Sequence, residues 1–133
     1  MARKVLYLVI VIALAASAFI PISNAQASTT KNNFSISIYD AINAAQIGYP
    51  RNYQFVFSII TSENKLARQF LLRQGQRINV EMERGWYAFT LSDQKGKVLA
   101  KHGYRYIPAG ANVRWQSNLG PPDLTPRIKI KID

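Results

Sequence analysis

Apolar and polar residues alternate with a period of two in several separate stretches of this chain. Residues 34–38 read FSISI, residues 78–82 read INVEM, and residues 127–132 read RIKIKI. A period of two sends successive side chains to opposite faces of a β-strand, so each stretch predicts a strand with one buried and one solvated face. The chain beyond residue 30 shows no convincing amphipathic helix. The repeated alternation therefore predicts an all-β fold.

Turn-forming residues divide the chain into short strands. Residues 53–61 are apolar on both faces, which is typical of a central strand covered from both sides. Residues 66–73 fit a helix or a strand, and Gly75 just beyond this short segment favours the strand. Residues 41–52 predict a loop, and residues 93–96 predict a hairpin turn. The count of seven or eight strands predicts a single antiparallel β-sandwich.

The N-terminal segment has the pattern of an export signal. Residues 5–22 form an unbroken apolar run that follows Arg3 and Lys4, which predicts a hydrophobic signal helix. An uncleaved anchor stays open as the alternative, because about 18 to 20 apolar residues can cross the hydrocarbon core of a bilayer. In both cases the rest of the chain is exported, to the periplasm, the cell surface or the extracellular space.

Two cleavage sites satisfy the small-residue rule for signal peptides, one after Ala25 and one after Ala27. Cleavage after Ala27 divides the chain into a signal peptide, residues 1–27, and one β-sandwich domain, residues 28–133. The remaining 106 residues are enough for a single domain. Because the chain contains no cysteine, it has no disulfide and no lipoprotein anchor, and its core alone must hold the domain together.

The charge of the exported part favours anionic partners. The chain has 17 Lys and Arg, and removing Arg3 and Lys4 leaves 15, against 7 Asp and Glu, for a formal charge of +8. Such a surface attracts acidic polysaccharide or lipid headgroups, and it also improves solubility. Nucleic acid is not an expected partner.

Groups able to carry catalysis or bind a metal are few. His102 is the single histidine, and no nucleophile-elbow sequence surrounds Ser92 or Ser117. The seven acids are scattered along the chain, whereas zinc and calcium sites need clustered ligands. We therefore expect no enzymatic activity, no catalytic residue, no metal site and no cofactor. We expect His102 to pair across its hairpin.

Cations lie next to aromatic residues between residues 104 and 115. Stacking combined with charge can hold sugars or single strands, so these residues, together with the cations near residue 130, predict a basic and aromatic surface. The candidate residues are Arg105, Arg114, Trp115, Arg127, Lys129 and Lys131. For Tyr104 and Tyr106, which share one strand face, core packing is the favoured interpretation, because aromatic residues commonly fill sandwiches.

The alternating cations Arg127, Lys129 and Lys131 have a structural interpretation as well. Facing an anionic membrane, about 1 kcal/mol each would give roughly 3 kcal/mol, which is weaker than millimolar binding. They are therefore too weak to form a whole binding site. Alternating cations do prevent the edge of a sheet from pairing with another chain, so this stretch predicts a protected edge strand that also contributes to a basic surface.

The first predicted strand lacks that protection. No charged residue lies between Lys31 and Asp40, so Phe34, Ile36 and Ile38 are candidates for addition to the sheet of a neighbouring subunit. This is a hypothesis of self-assembly or of binding to a protein partner.

Residues 83–100, ERGWYAFTLSDQKGKVLA, resemble the hairpin of transthyretin-like and carboxypeptidase-regulatory-like sandwiches, which are immunoglobulin-like folds. A glycine and two aromatic residues at 85–87 lead an alternating strand into the turn at 93–96, and residues 36–41 are placed like a first strand. Residues 41–52 depart from the small-residue turn that usually follows that strand. The resemblance covers about a quarter of the exported part, and it implies a non-catalytic module for assembly, adhesion or support.

These observations favour a structural function. We expect a non-enzymatic exported β-sandwich that acts as a structural or accessory subunit of a cell-envelope or cell-surface assembly. The alternative is a basic module that binds an acidic envelope polymer or lipid headgroups.

Removal of the signal peptide predicts a definite intact mass for the exported protein. The mass should correspond to a chain that starts at Gln26 or at Ser28, because the two small-residue sites precede these residues. Mass spectrometry of the protein from the exported fraction measures this directly. A mass that includes residues 5–22 would contradict cleavage and favour the anchor.

Overall fold

The computed structural model describes residues 32–133, and the predicted leader with its two cleavage sites lies outside the described residues. A single short 3₁₀ helix at Ala44–Ile47 occurs in this part of the chain, inside the predicted loop. The eight strands are β1 (Asn33–Asp40), β2 (Phe55–Thr61), β3 (Leu66–Leu72), β4 (Arg77–Glu83), β5 (Gly85–Ser92), β6 (Val98–Ile107), β7 (Asn112–Gly120) and β8 (Thr125–Ile132). The all-β prediction is confirmed, as is the strand at residues 66–73.

The eight strands form two four-stranded sheets. The first sheet has the order β4-β1-β7-β8, and the second has the order β3-β2-β5-β6. Five of the six strand pairs described are antiparallel, but β1 and β7 are parallel, so the prediction of a wholly antiparallel sandwich is wrong at this pair. The chain returns from β6 at the end of the sandwich where β1 starts, and Ser35 N–H donates to Ala111 O at 3.1 Å there. β7 must therefore run in the same direction as β1.

Aromatic side chains join the two sheets at the centre of the core. Trp115 of β7 is fully buried. Its ring centroid lies 5.2 Å from that of Phe57 in β2 and 4.9 Å from that of Phe89 in β5, and both pairs of rings are packed edge to face. Such aromatic pairs are favourable by about 0.5 to 1.5 kcal/mol each beyond the area that they bury. Trp115 therefore connects the first sheet to two strands of the second.

The burial predicted from the sequence for β2 and β4 agrees with the structure. Five consecutive residues of β2, Phe55 to Ile59, are buried, as expected for a strand covered on both faces. β4 alternates between exposed and less exposed residues and lies at a sheet edge. The turn Asp93–Gly96 joins β5 to β6, and Gly96 has a φ of +93°, a backbone conformation that favours glycine.

The connection between β7 and β8 is shorter than the sequence predicts. Residues 117–126 contain one glycine and three prolines, which predicts a loop, but β7 continues to Gly120 and β8 begins at Thr125. Pro126 is part of β8, which is possible because β8 is an edge strand and a proline need not donate to a second neighbour. The Arg127 side chain occupies the space that a Cβ on Gly120 would fill. The absence of a side chain at Gly120 therefore leaves room for the side chain of Arg127.

A carboxyl group lies inside the core at the end of β1. Asp40 is fully buried, and its Oδ1 accepts hydrogen bonds from Ile42 N–H at 2.9 Å and from the Ser117 hydroxyl at 2.8 Å. Its Oδ2 is buried without a hydrogen-bond partner among residues 32–133. Burial raises the pKa of Asp40 above its usual range, although the two hydrogen bonds act in the opposite direction.

The pKa of Asp93 is shifted in the opposite direction, below its usual range. Burial by itself would raise its pKa, but hydrogen bonds from Lys97 N–H, the Tyr49 hydroxyl and Lys95 N–H lower the pKa of this carboxyl below its usual range. The two acids therefore make opposite contributions to the pH dependence of folding.

Replacing Asp40 by asparagine should change how stability depends on pH. A carboxyl whose pKa is raised by folding binds its proton more tightly in the folded state, so wild type should gain stability relative to Asp40→Asn as the pH falls from neutrality towards about 3.9. Urea unfolding of both proteins over this range measures the difference. Asp93→Asn is the matched control, because wild type should lose stability relative to that variant only as the pH falls below about 3.9, so this comparison is extended to lower pH. An equal pH dependence for wild type and Asp40→Asn would contradict the assignment.

Candidate functional site

The outer faces of the two sheets carry different side chains. On the first sheet the outward positions are polar or charged, and we call this surface the polar face; it includes Ser37, Tyr39, Arg77, Asn79, Arg114, Gln116, Arg127, Lys129 and Lys131. On the second sheet three aromatic residues are exposed near the end of β6 and the start of β5. We call Trp86, Tyr104 and Tyr106 the aromatic patch. These two surfaces are the candidate binding sites.

The aromatic patch is formed by two neighbouring strands. Trp86 of β5 is paired in register with Tyr106 of β6, and their rings meet edge to face at 5.7 Å. The exposed fractions are 54% for Trp86, 45% for Tyr104 and 42% for Tyr106. The favoured interpretation that Tyr104 and Tyr106 pack in the core is therefore wrong. β6 is an edge strand, and no described element covers the outward side of these residues.

The polar face holds its cations in defined positions. Arg77 of β4 lies over the ring of Tyr39, with its guanidinium carbon 4.7 Å from the ring centroid, and it donates a hydrogen bond to the Ser37 hydroxyl at 2.9 Å. Arg114 of β7 forms an ion pair with Asp133 at 3.0 Å. Both guanidinium groups are thus oriented by neighbours on the sheet.

Four of the six residues predicted for a basic and aromatic surface lie together on the polar face. They are Arg114, Arg127, Lys129 and Lys131, with Arg114 directly opposite Lys131 in the register of β7 and β8. Arg105 is exposed but belongs to β6 of the other sheet. The prediction that Trp115 lies on the surface is wrong, because this residue is fully buried. Neighbouring positions of a strand point to opposite faces, and Arg114 occupies the outward position.

The residues predicted for strand addition lie inside their own sheet. β1 is hydrogen-bonded to β4 on one side and to β7 on the other, and Phe34, Ile36 and Ile38 are at most 2% exposed. A donor role would require β1 to leave both neighbours and expose three core side chains. The open edges among the described strands belong to β3, β4, β6 and β8.

Sequence reasoning missed a cluster of tyrosines in the loop between β1 and β2. Tyr49 and Tyr53 have ring centroids 4.7 Å apart, and the Tyr49 hydroxyl donates to Asp93 Oδ2 at 3.0 Å. Burial and this hydrogen bond raise the pKa of Tyr49 to about 12. The cluster ties the loop to the β5–β6 turn. The available signal was Tyr49, between Gly48 and Pro50, and Tyr53, three residues after Pro50.

A small polar hollow of about 200 Å³ opens beside this loop. Its lining is formed by Asn43, Ala44, Arg51, Asn52, Tyr53 and Gln74. It provides one cation, one tyrosine hydroxyl and several amide groups, which suits hydrogen bonding to a polar group.

The groups considered for catalysis are used in other contacts. His102 pairs with Phe89 across the hairpin, as expected, and its Nδ1 lies 3.0 Å from the carbonyl oxygen of Gly103. The Ser117 hydroxyl donates to Asp40 in the core. Across residues 32–133 no three His, Cys, Asp or Glu side chains come together in a way that would hold a metal ion.

A helix long and apolar enough to cross a membrane does not occur in residues 32–133. The chain matches no protein-family model, and a search of curated proteins finds no match. The candidate sites therefore rest on the geometry of the two faces.

The two tryptophans should respond differently to solvent. Trp115→Phe leaves Trp86, which is 54% exposed, so its emission should lie at long wavelength and iodide should quench it strongly. Trp86→Phe leaves the fully buried Trp115, whose emission should lie at shorter wavelength and resist quenching. Fluorescence of both variants measures this, with circular dichroism to verify folding. If Trp115→Phe fails to fold, the emission and quenching of Trp86 are obtained by subtracting the fluorescence of Trp86→Phe from that of wild type. Equal quenching of both residues would contradict the placement of the aromatic patch.

Proposed function

We propose that this protein is a non-enzymatic, exported β-sandwich that acts as a structural or accessory subunit of a cell-envelope or cell-surface assembly. The observation that carries this proposal is the aromatic patch, where Trp86, Tyr104 and Tyr106 are exposed together on one face. The patch binds a protein partner or a second copy of the chain.

The composition of the patch supports a protein interface. Tryptophan and tyrosine are among the residues that contribute most binding energy at interfaces, and the aromatic patch consists of these two residue types. Grouped apolar side chains on the surface of a soluble domain commonly mark an interaction site. Trp86 and Tyr106 already pack against each other, so little side-chain freedom is lost on binding.

A transthyretin-like or carboxypeptidase-regulatory-like family remains part of the proposal. It is supported by the hairpin of β5 and β6 with its turn at Asp93–Gly96, and by two four-stranded sheets. Such a module would act through its surfaces.

The second candidate function is binding of an acidic envelope polymer or of lipid headgroups. The cations of the polar face favour it, because Arg77, Arg114, Arg127, Lys129 and Lys131 lie there and outnumber the acids of the same face, which are Glu81, Glu83 and Asp133. Salt distinguishes the two candidates. Polyanion binding should weaken steeply as ionic strength rises, whereas an interface of aromatic contacts should persist.

Photo-crosslinking from the aromatic patch tests the first candidate. A photoreactive phenylalanine analogue replaces Trp86 in one variant and Tyr106 in another, and the exported protein is irradiated in intact cells. We expect discrete protein adducts, identified by mass spectrometry, that are shared by both variants and persist at high salt. A matched variant with the analogue at Gln94, which is exposed on the β5–β6 turn, should lack these adducts. Absence of adducts from both patch positions, or identical adducts from Gln94, would sink the proposal.

A further inference from the structure

Side chains on the polar face are arranged in two rows that cross all four strands of the first sheet. The first row consists of Arg77, Tyr39, Gln116 and Lys129. The second row consists of Asn79, Ser37, Arg114 and Lys131. Neighbouring strands lie about 4.8 Å apart, so each row is about 14 Å long, and the two rows lie about 7 Å apart. We call these eight residues the cationic track.

Cations stand at both ends of the first row and in the half of the second row nearest β8. Arg77 is held over Tyr39 and hydrogen-bonded to Ser37, so one end of the first row is fixed in place. Lys129 and Lys131 are exposed, and neither forms an ion pair within residues 32–133. Two uncompensated cations therefore lie side by side at the other end of the track.

Neutral hydrogen-bonding groups occupy most of the remaining positions of the track. Ser37 contributes a hydroxyl, and Asn79 and Gln116 contribute side-chain amides, each of which can donate and accept. Such groups suit a ligand that carries many hydroxyls as well as negative charges. The surface is the open outer face of a four-stranded sheet, so it suits an extended ligand better than a compact one.

The same face lacks what a bilayer or a single-stranded nucleic acid would need. The large hydrophobic side chains exposed in residues 32–133 are Trp86, Val98, Tyr104, Tyr106 and Leu124, and all of them lie outside the track. Binding at a bilayer surface buries apolar side chains, and single strands stack their bases on exposed rings. The aromatic ring in the track, that of Tyr39, is half-buried and covered by Arg77.

We infer that the cationic track is a binding site for a linear acidic polysaccharide, which lies across the four strands. Carboxylate groups of the polymer contact Arg77 at one end and Lys129 and Lys131 at the other, next to the Arg114–Asp133 ion pair, while its hydroxyls bond to the neutral side chains of the track. This inference rests on the second candidate function and names its site and its ligand.

Removal of two cations from the track tests the inference. The exported protein, the variant Lys129→Gln with Lys131→Gln, and the control Lys95→Gln with Lys97→Gln are compared; the control removes the same charge from the exposed β5–β6 turn. The probe is polygalacturonate, a linear polyuronate, titrated at several salt concentrations beside a neutral dextran of similar length. We expect wild type and control to bind polygalacturonate and not dextran. In the track variant the slope of log affinity against log salt should fall by about two, because each lysine contributes about one.

Each other outcome contradicts a different step. If wild type does not bind polygalacturonate, the second candidate function itself is wrong. If it binds but both double variants weaken equally, binding depends on net charge and the track is not the site. If vesicles of phosphatidylglycerol and phosphatidylcholine bind and polygalacturonate does not, and the track variant loses vesicle binding, the ligand is a lipid surface and the assignment of a polysaccharide is overturned.

Discussion

The packing of Trp115 between the two sheets is the contact on which the rest of the structure depends. No disulfide is available to a chain without cysteine, so the sheets are held together by the side chains between them. Trp115 meets Phe57 and Phe89, which lie on the two central strands of the opposite sheet. Truncating a buried aromatic residue of this kind commonly costs about 3 to 5 kcal/mol, which is a large part of the stability of a small domain.

This core leaves the outward positions of the strands free to differ. Most inward positions of both sheets are apolar, but the outward positions of the first sheet carry charged groups, amides and hydroxyls, while the second exposes Trp86, Tyr104 and Tyr106. The two surfaces lie on opposite sides of a two-layer sandwich. A protein partner on the aromatic patch and a polyanion on the polar face would therefore not compete for space, and a subunit with both could attach an assembly to an acidic envelope polymer.

Asp40 is a polar residue that the alternation of β1 places in the core. Residues 34, 36, 38 and 40 share the inward face of β1, so the aspartate follows three apolar residues into the core. Its hydrogen bond to Ser117 connects β1 to β7, the parallel pair among the described strands. A buried carboxyl costs stability when ionised, and the bond to Ser117 offsets part of that cost. The sequence contained this signal, since position 40 is in phase with Phe34, Ile36 and Ile38.

Period-two alternation by itself determined approximately where β1, β4 and β8 lie and which of their side chains share a face, while β2 was predicted from its apolar run and β3 from its length and the glycine that follows it. Those properties are local, because they depend on the geometry of a single strand. Which face is buried, and which strands are neighbours, depends on the rest of the fold. Only the tertiary structure placed β7 parallel to β1, put Trp115 in the core and left Tyr104 and Tyr106 in solvent on an uncovered edge strand. The physical reason is that a strand pattern is the same whatever packs against it, whereas burial is set by the layer that covers it.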